Sequence, residues 1–313
     1  MASNLNRGLW VWNSASILSS SAQIGALIGG AQTHGISDLY FYMAPSYYQQ
    51  ETAALQTFIS GATAVGVRVW ALDGDRAYLD DAAGPAHFYH GINNLIAYNL
   101  FAPAAARFFG FQSDIEPQDN DTHASFHNDV PDDALSTEAG SGKWQATQAQ
   151  DREMLMRSWL TIHQTANELL HAANLYFGAA MPFWTESYPN TPVSVNFPFP
   201  HSPRQSVMKH MMPLLDEYVV MSYNTHPPNA AGRVSVQAAY ASTLPAASRP
   251  RVYASMEVAV GVGENVSYGD TVGKNSKGVV MQDLEDIVGA LGAHEAFAGV
   301  ALHHWESWVG MPE

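Results

Sequence analysis

The stretch FFGFQSDIEPQ, residues 108–118, sets two carboxylates, Asp114 and Glu116, between an apolar run and a proline. Residues two apart in an extended chain face the same way. Gln112, Asp114 and Glu116 therefore share one face, and Phe109, Phe111 and Ile115 turn to the other, towards a helical layer. Two adjacent carboxylates shielded from water are material for general acid–base chemistry. Desolvation and a neighbouring negative charge raise the pKa of one member and keep it protonated near neutrality. A helix cap or a surface ion pair would explain one such acid. Three inward polar groups are costly unless they are paired or used.

Residues that bind and place a substrate also fall at the ends of short apolar runs. SMEV ends one run with Glu257. ALDGD ends another with Asp73 and Asp75. MSYN supplies Tyr223 and Asn224, and HHWES supplies His303, His304, Trp305 and Glu306. Trp12 and Asn13 close the first run, and Tyr42 closes the second.

These runs read as strands, rich in β-branched and aromatic residues and bounded by turn signals. Eight are present, at 8–12, 38–43, 67–72, 108–116, 174–181, 217–223, 251–258 and 297–305. Segments with helical apolar spacing lie between them, at 21–35, 52–66, 87–100, 148–173, 204–215, 234–244 and 280–292. Alternation of strands and helices implies a parallel sheet. Eight such units in about 300 residues imply an α/β fold of the closed (β/α)8, or TIM barrel, type. The eighth helix is missing or rudimentary, since only eight residues follow Trp305. A neighbouring helix, a loop or the second subunit of a homodimer could cover the outside of strands eight and one.

The whole chain, 1–313, reads as one barrel domain. Two long connections, 118–143 after strand four and 183–203 after strand five, lie on the face where barrel enzymes keep their sites. The strand ends thus bring acids, a phenol and tryptophans to one rim. Glycoside hydrolysis needs paired carboxylates at the scissile bond, and flat rings stack on sugar faces.

GFQSDIE, MSYN and a tryptophan after strand eight together resemble the family-18 chitinases and endo-N-acetylglucosaminidases. The resemblance implies a glycosidase with Glu116 as general acid and Asp114 orienting the substrate N-acetyl group. Tyr223 and Asn224 would hold that group as it attacks the anomeric carbon, and Trp305 would floor the subsite. The first aspartate of the family motif is Gln112 here. IEP (115–117) and SME (255–257) are similar to the retaining barrel glycosidases, in which Glu116 would be acid/base and Glu257 the nucleophile. The family asparagine before the first glutamate is Ile115 here. The candidate catalytic set is Glu116, Asp114, Glu257 and Tyr223. The candidate substrate-binding set is Trp12, Tyr42, Asp73, Asp75, Asn224, His304, Trp305 and Glu306. A carbohydrate-binding barrel without catalysis, and a barrel using the same acids on a non-sugar small molecule, remain as alternatives.

Composition narrows the partners. The formal net charge is −15, with only 14 lysines and arginines. Nucleic acid and anionic membranes both select clustered positive charge, so neither is expected as a partner. No apolar run is long enough to span a bilayer. There is no cysteine, which excludes disulfides and thiolate chemistry. No signal pattern opens the chain, and a cytoplasmic location is favoured over a secreted one. Two sequons, at Asn120 and Asn265, are triplets that also arise by chance.

No cofactor and no metal are expected. His123 and His127 have i, i+4 spacing but no third ligand, and DNDTH (119–123) could hold calcium or simply be solvated. The glycine-rich 259–273 follows strand seven, where some barrels bind phosphate, but it lacks a clean phosphate-cradle spacing.

Overall fold

The computed structural model describes residues 5–79, 83–118, 149–187 and 193–313. Eight parallel strands close into a barrel: β1 (Asn6–Val11), β2 (Asp38–Tyr42), β3 (Arg68–Asp73), β4 (Gly110–Ser113), β5 (Tyr176–Pro182), β8 (Glu217–Met221), β9 (Arg251–Glu257) and β10 (Phe297–His303). Each corresponds to one of the eight runs read from the sequence. β1 pairs with β10 in the register Gly8 to Ala301, which closes the ring. The outer layer comprises helices Ser21–Thr33, Thr52–Ala64, Gly84–Phe101, Ala149–Ala172, Pro227–Thr243 and Lys277–Leu291.

The connection after β5 holds a small antiparallel hairpin, β6 (Ser194–Asn196) with β7 (Arg204–Ser206). The helix expected over 204–215 is therefore shorter, Val207–Met211. Ser206 ends the hairpin and caps that helix, its hydroxyl accepting from Lys209 N–H, as serine does at an N-cap. Most of the 118–143 connection lies outside the described residues, and so do the Asn120 sequon, the acidic 119–123 run and the His123/His127 pair.

The eighth helix is rudimentary, Trp305–Gly310. Two tryptophans make it an effective cover. Trp308 is fully buried and Trp305 nearly so. A Cβ on Gly30 would lie 2.5 Å from the Trp305 ring, so only glycine lets helix Ser21–Thr33 approach this closely. His34 meets Trp308 edge-on at 5.1 Å. The chain thus covers the outside of β10 and β1 with residues of its own. Trp305 belongs to this outer core and does not floor a pocket inside the barrel.

Inside the barrel, alternation sorts the side chains. Trp10, Tyr40, Trp70, Leu72, Val219, Tyr253 and Ala301 fill the centre. Charges seal the N-terminal end. Buried Asp38 accepts from Arg68 at 2.7 and 2.6 Å and from Trp70 Nε1–H at 2.8 Å. Buried Glu217 accepts from the Tyr40 hydroxyl and from Arg251. Phe109 departs from its expected place among the helices. It precedes the regular part of β4, stacks on Tyr176 at 4.5 Å and meets the edge of Trp70 at 5.1 Å. Phe111 and Ile115 do face the helices.

Candidate active site

Regular pairing of β4 stops at Ser113, but the Asp114 N–H still donates to Asp73 C=O at 3.0 Å. The ends of β3 and β4 are pressed together just beyond. A Cβ on Gly74 would lie 2.1 Å from the Asp114 carbonyl oxygen, a contact no other residue allows without moving one chain. Gly74→Ala is therefore expected to push Asp114 out of place and to cost about 1–3 kcal/mol. Thermal unfolding, with ligand binding measured alongside, checks both effects.

Above the central aromatic layer, the groups at the C-terminal strand ends converge. Gln112 is fully buried, and neither end of its amide has a hydrogen-bond partner among the described residues. Asp114 and Glu116 are half-buried. Glu116 accepts from the Gln118 amide. Tyr223, two residues past β8, hydrogen-bonds Ser255 and lies within the electrostatic reach of three acids. Its pKa is driven well above the usual phenol value by burial, then by the charges of Glu257, Asp114 and Glu116. The Tyr223 phenol thus stays a proton-bearing donor amid three carboxylates.

Glu257 ends β9 almost completely buried. Its Oε1 accepts from the N–H groups of Val258 and Ala259 at 2.8 Å each. Its Oε2 lies 2.7 Å from His303 Nδ1. Trp12 Nε1–H points at His303 Nε2 from 2.8 Å. Tyr42 lies beside Trp12, with ring centroids 5.9 Å apart. His303 is the functional candidate the sequence reading passed over in favour of His304. Alternation along β10 could have found it, because Ala301 faces the barrel and Leu302 the helices.

Several expected binding residues also make bonds within the frame. His304 is buried and bonds Glu306 at 2.7 Å, and Glu306 accepts from Asn13 N–H, also at 2.7 Å. Burial pushes the Glu306 carboxyl up, but His304 and the Asn13 N–H outweigh it and hold the pKa low. This pair locks the end of β10 to the end of β1. Asn224 Oδ1 accepts from His226 N–H at the start of helix Pro227–Thr243. Asp75 Oδ1 accepts from Ala77 N–H in the turn after β3.

Asp73 faces outward, beneath helix Gly84–Phe101, where its carboxylate accepts from Tyr78 OH and approaches Gly91. Burial raises its pKa to about 7, against the lowering bonds from Tyr78 and Gly74. A carboxyl so enclosed cannot reach a substrate. It does make stability depend on pH. A folded-state pKa above the unfolded value means that the folded chain binds more protons, so stability falls as pH climbs from about 4 to about 7. Glu217, also raised to about 7 by burial, acts in the same direction. Asp73→Asn is expected to reduce the loss of Tm between about pH 5 and pH 8 to roughly half, with Glu217 supplying the remainder.

The glycine-rich 259–273 connection is filled from within. The N–H groups of Gly261 and Gly263 bind the Asp270 carboxylate at 2.8 and 2.6 Å. Slight burial pushes the Asp270 pKa up, and these backbone bonds more than reverse it. The amides that would cradle a phosphate are occupied. Among the described residues no group of three or more histidines and acids could hold a metal, and no helix is long and apolar enough to cross a membrane.

A closed eight-stranded barrel with this rim can be set beside solved structures. A GH18 chitinase from Pseudoalteromonas aurantia superposes with a TM-score of 0.52 at 11% identity, covering 96% of this chain and 94% of that one. A chitinase from Bacteroides thetaiotaomicron gives 0.50 at 10% identity, over 98% and 93%. The chain shares the closed barrel fold of these two proteins. The likeness is one of fold. A GH18 chitinase from Cycas revoluta, 13% identical, gives a TM-score of 0.39 over 71% of this chain. The chain spans 56% of the length of that protein and 66% of a domain from Desulfitobacterium hafniense. No protein-family model matches the chain. No curated protein matches it in sequence.

Proposed function

We propose that the chain is a glycoside hydrolase acting on N-acetylated sugars, with Glu116 as general acid. The observation that carries this reading is the meeting of Asp114, Glu116 and Glu257 around one protonated phenol, Tyr223, in a barrel of chitinase fold. Glu116 passes its proton to the glycosidic oxygen as the bond breaks. The substrate N-acetyl oxygen attacks the anomeric carbon, oriented by Asp114 and held by Tyr223 OH. Water then opens the cyclic intermediate, with Glu116 as base.

The state of Glu257 favours this route over direct attack by a protein carboxylate. An attacking carboxylate must present a lone pair to the anomeric carbon, and Glu257 is almost completely buried. Both Glu257 oxygens are engaged, one by two backbone N–H groups and the other by His303.

Substrate choice separates the two routes. Chitooligosaccharides are expected to be hydrolysed, and aryl glucosides without an N-acetyl group are not. Glu257→Gln is expected to slow hydrolysis by about 10-fold through disorder of the rim, short of the 10²-fold or greater loss that follows removal of a nucleophile. Turnover of plain glucosides, abolished in Glu257→Gln, would establish the two-carboxylate route instead. Sugar binding without any turnover would make the protein a lectin-like barrel.

A further inference from the structure

We propose that His303 is a positioning residue of this site, held as the neutral Nδ1–H imidazole between Glu257 and Trp12 and fixing the ring of Tyr223 beside the β4 acids. The proposal builds on the reading of Tyr223 as the group that holds the substrate.

The tautomer follows from the partners. An indole N–H can only donate, so His303 Nε2, 2.8 Å from Trp12 Nε1, must accept. The proton then resides on Nδ1 and is donated to Glu257 Oε2 at 2.7 Å. Glu257 cannot turn away, because two backbone N–H groups fix its other oxygen. Imidazole in water prefers the opposite tautomer, so the protein imposes this one. A proton added at Nε2 would face the Trp12 N–H directly and break that bond.

Held at both nitrogens, the ring has one orientation. Trp10 and Trp12 pack against it edge-on at 5.8 and 6.1 Å. Tyr223 lies along its face, at 5.9 Å between centroids and 30° between planes. The phenol therefore rests on a plate whose angle is set from β1 and β9. Among the described residues, the titratable groups around that plate include Glu257 on β9, Tyr223 after β8, His304 with its partner Glu306, and, across Tyr223, Asp114 and Glu116. No other arrangement in the described residues links three strand ends through one side chain with both nitrogens committed.

The test uses the ¹⁵N-labelled full chain at about pH 7.5, where an ordinary imidazole is neutral. Two-bond ¹H–¹⁵N correlations report which nitrogen carries the proton, and loss of one pattern in His303→Gln assigns it. The expected result is an Nδ1–H pattern in the wild type, which Glu257 maintains in Trp12→Phe, a variant that keeps a ring but removes the donor. An Nε2–H pattern in the wild type overturns the proposal.

Kinetics on a chitooligosaccharide then read the role. Trp12→Phe and His303→Gln are expected to lower kcat by about 10- to 100-fold, as misplacement of a positioning group does, with KM within about three-fold. A lowered Tm with unchanged kcat would make His303 merely structural and overturn the proposal. A wild type without turnover would sink the glycosidase reading, and the tautomer pattern alone would then decide the His303 proposal.

Discussion

Glu116→Gln is expected to lower kcat on chitooligosaccharides by about 10²- to 10⁴-fold, the range that a positioned proton donor contributes. The substitution keeps the side-chain shape and its contact with Gln118, but an amide cannot protonate the leaving oxygen. Because Glu116 is only half-buried and lies beyond the last regular pair of β4, Tm should stay within about 1–2 °C of the wild type. The leaving group supplies an internal control. A nitrophenolate departs without a proton, so the loss on nitrophenyl chitooligosaccharides should be smaller by at least about 10-fold. Steady-state rates on the two substrates check this together. Retention of most of the natural-substrate activity would remove Glu116 from the mechanism and leave the β4 acids a structural role.

The largest effect on stability is expected at the opposite end of the barrel. Asp38 is fully buried and accepts from Arg68, through two nitrogens, from Trp70 and from Ser37. Asp38→Ala removes the acceptor for all of them and, among the described residues, leaves the Arg68 charge with only Glu217 to offset it in the barrel floor. Breaking one side of a buried pair costs about 3–5 kcal/mol, or about 10 °C in Tm for a chain of this size. Glu313→Ala is the comparison. It also removes a salt bridge, to Lys277 at 2.8 Å, but Glu313 is 85% exposed. Surface pairs contribute little, so Tm should not move measurably. Differential scanning calorimetry of the two variants separates the cases. Activity at room temperature should survive in Asp38→Ala, because the barrel centre lies between this cluster and the site.

The sequence by itself determined the barrel and the strand ends at which acids and aromatic residues gather. Each strand is a short run with turns at both ends, and period-two alternation assigns one face to the interior wherever the run is regular. That is why Glu257, which shares its strand face with the central Tyr253, was legible as an inward group at a strand end. It is also why Glu217 and Asp38, the first residues of their strands, sit at the far end.

Where a strand stops, alternation stops with it, and only the tertiary structure decided the outcome. Asp73 ends its strand on the outer face, beneath a helix. Trp305, two residues past β10, swings outward because Gly30 leaves room for its ring. His304 and Glu306 turn to each other and to Asn13, while His303 alone enters the rim. Phe109, just before β4 begins, stacks under the barrel and not among the helices. Hydrogen bonds between residues nearly 300 positions apart, such as Trp12 to His303, have no local signature. They exist because β1 and β10 close the ring, and closure is a property of the whole fold.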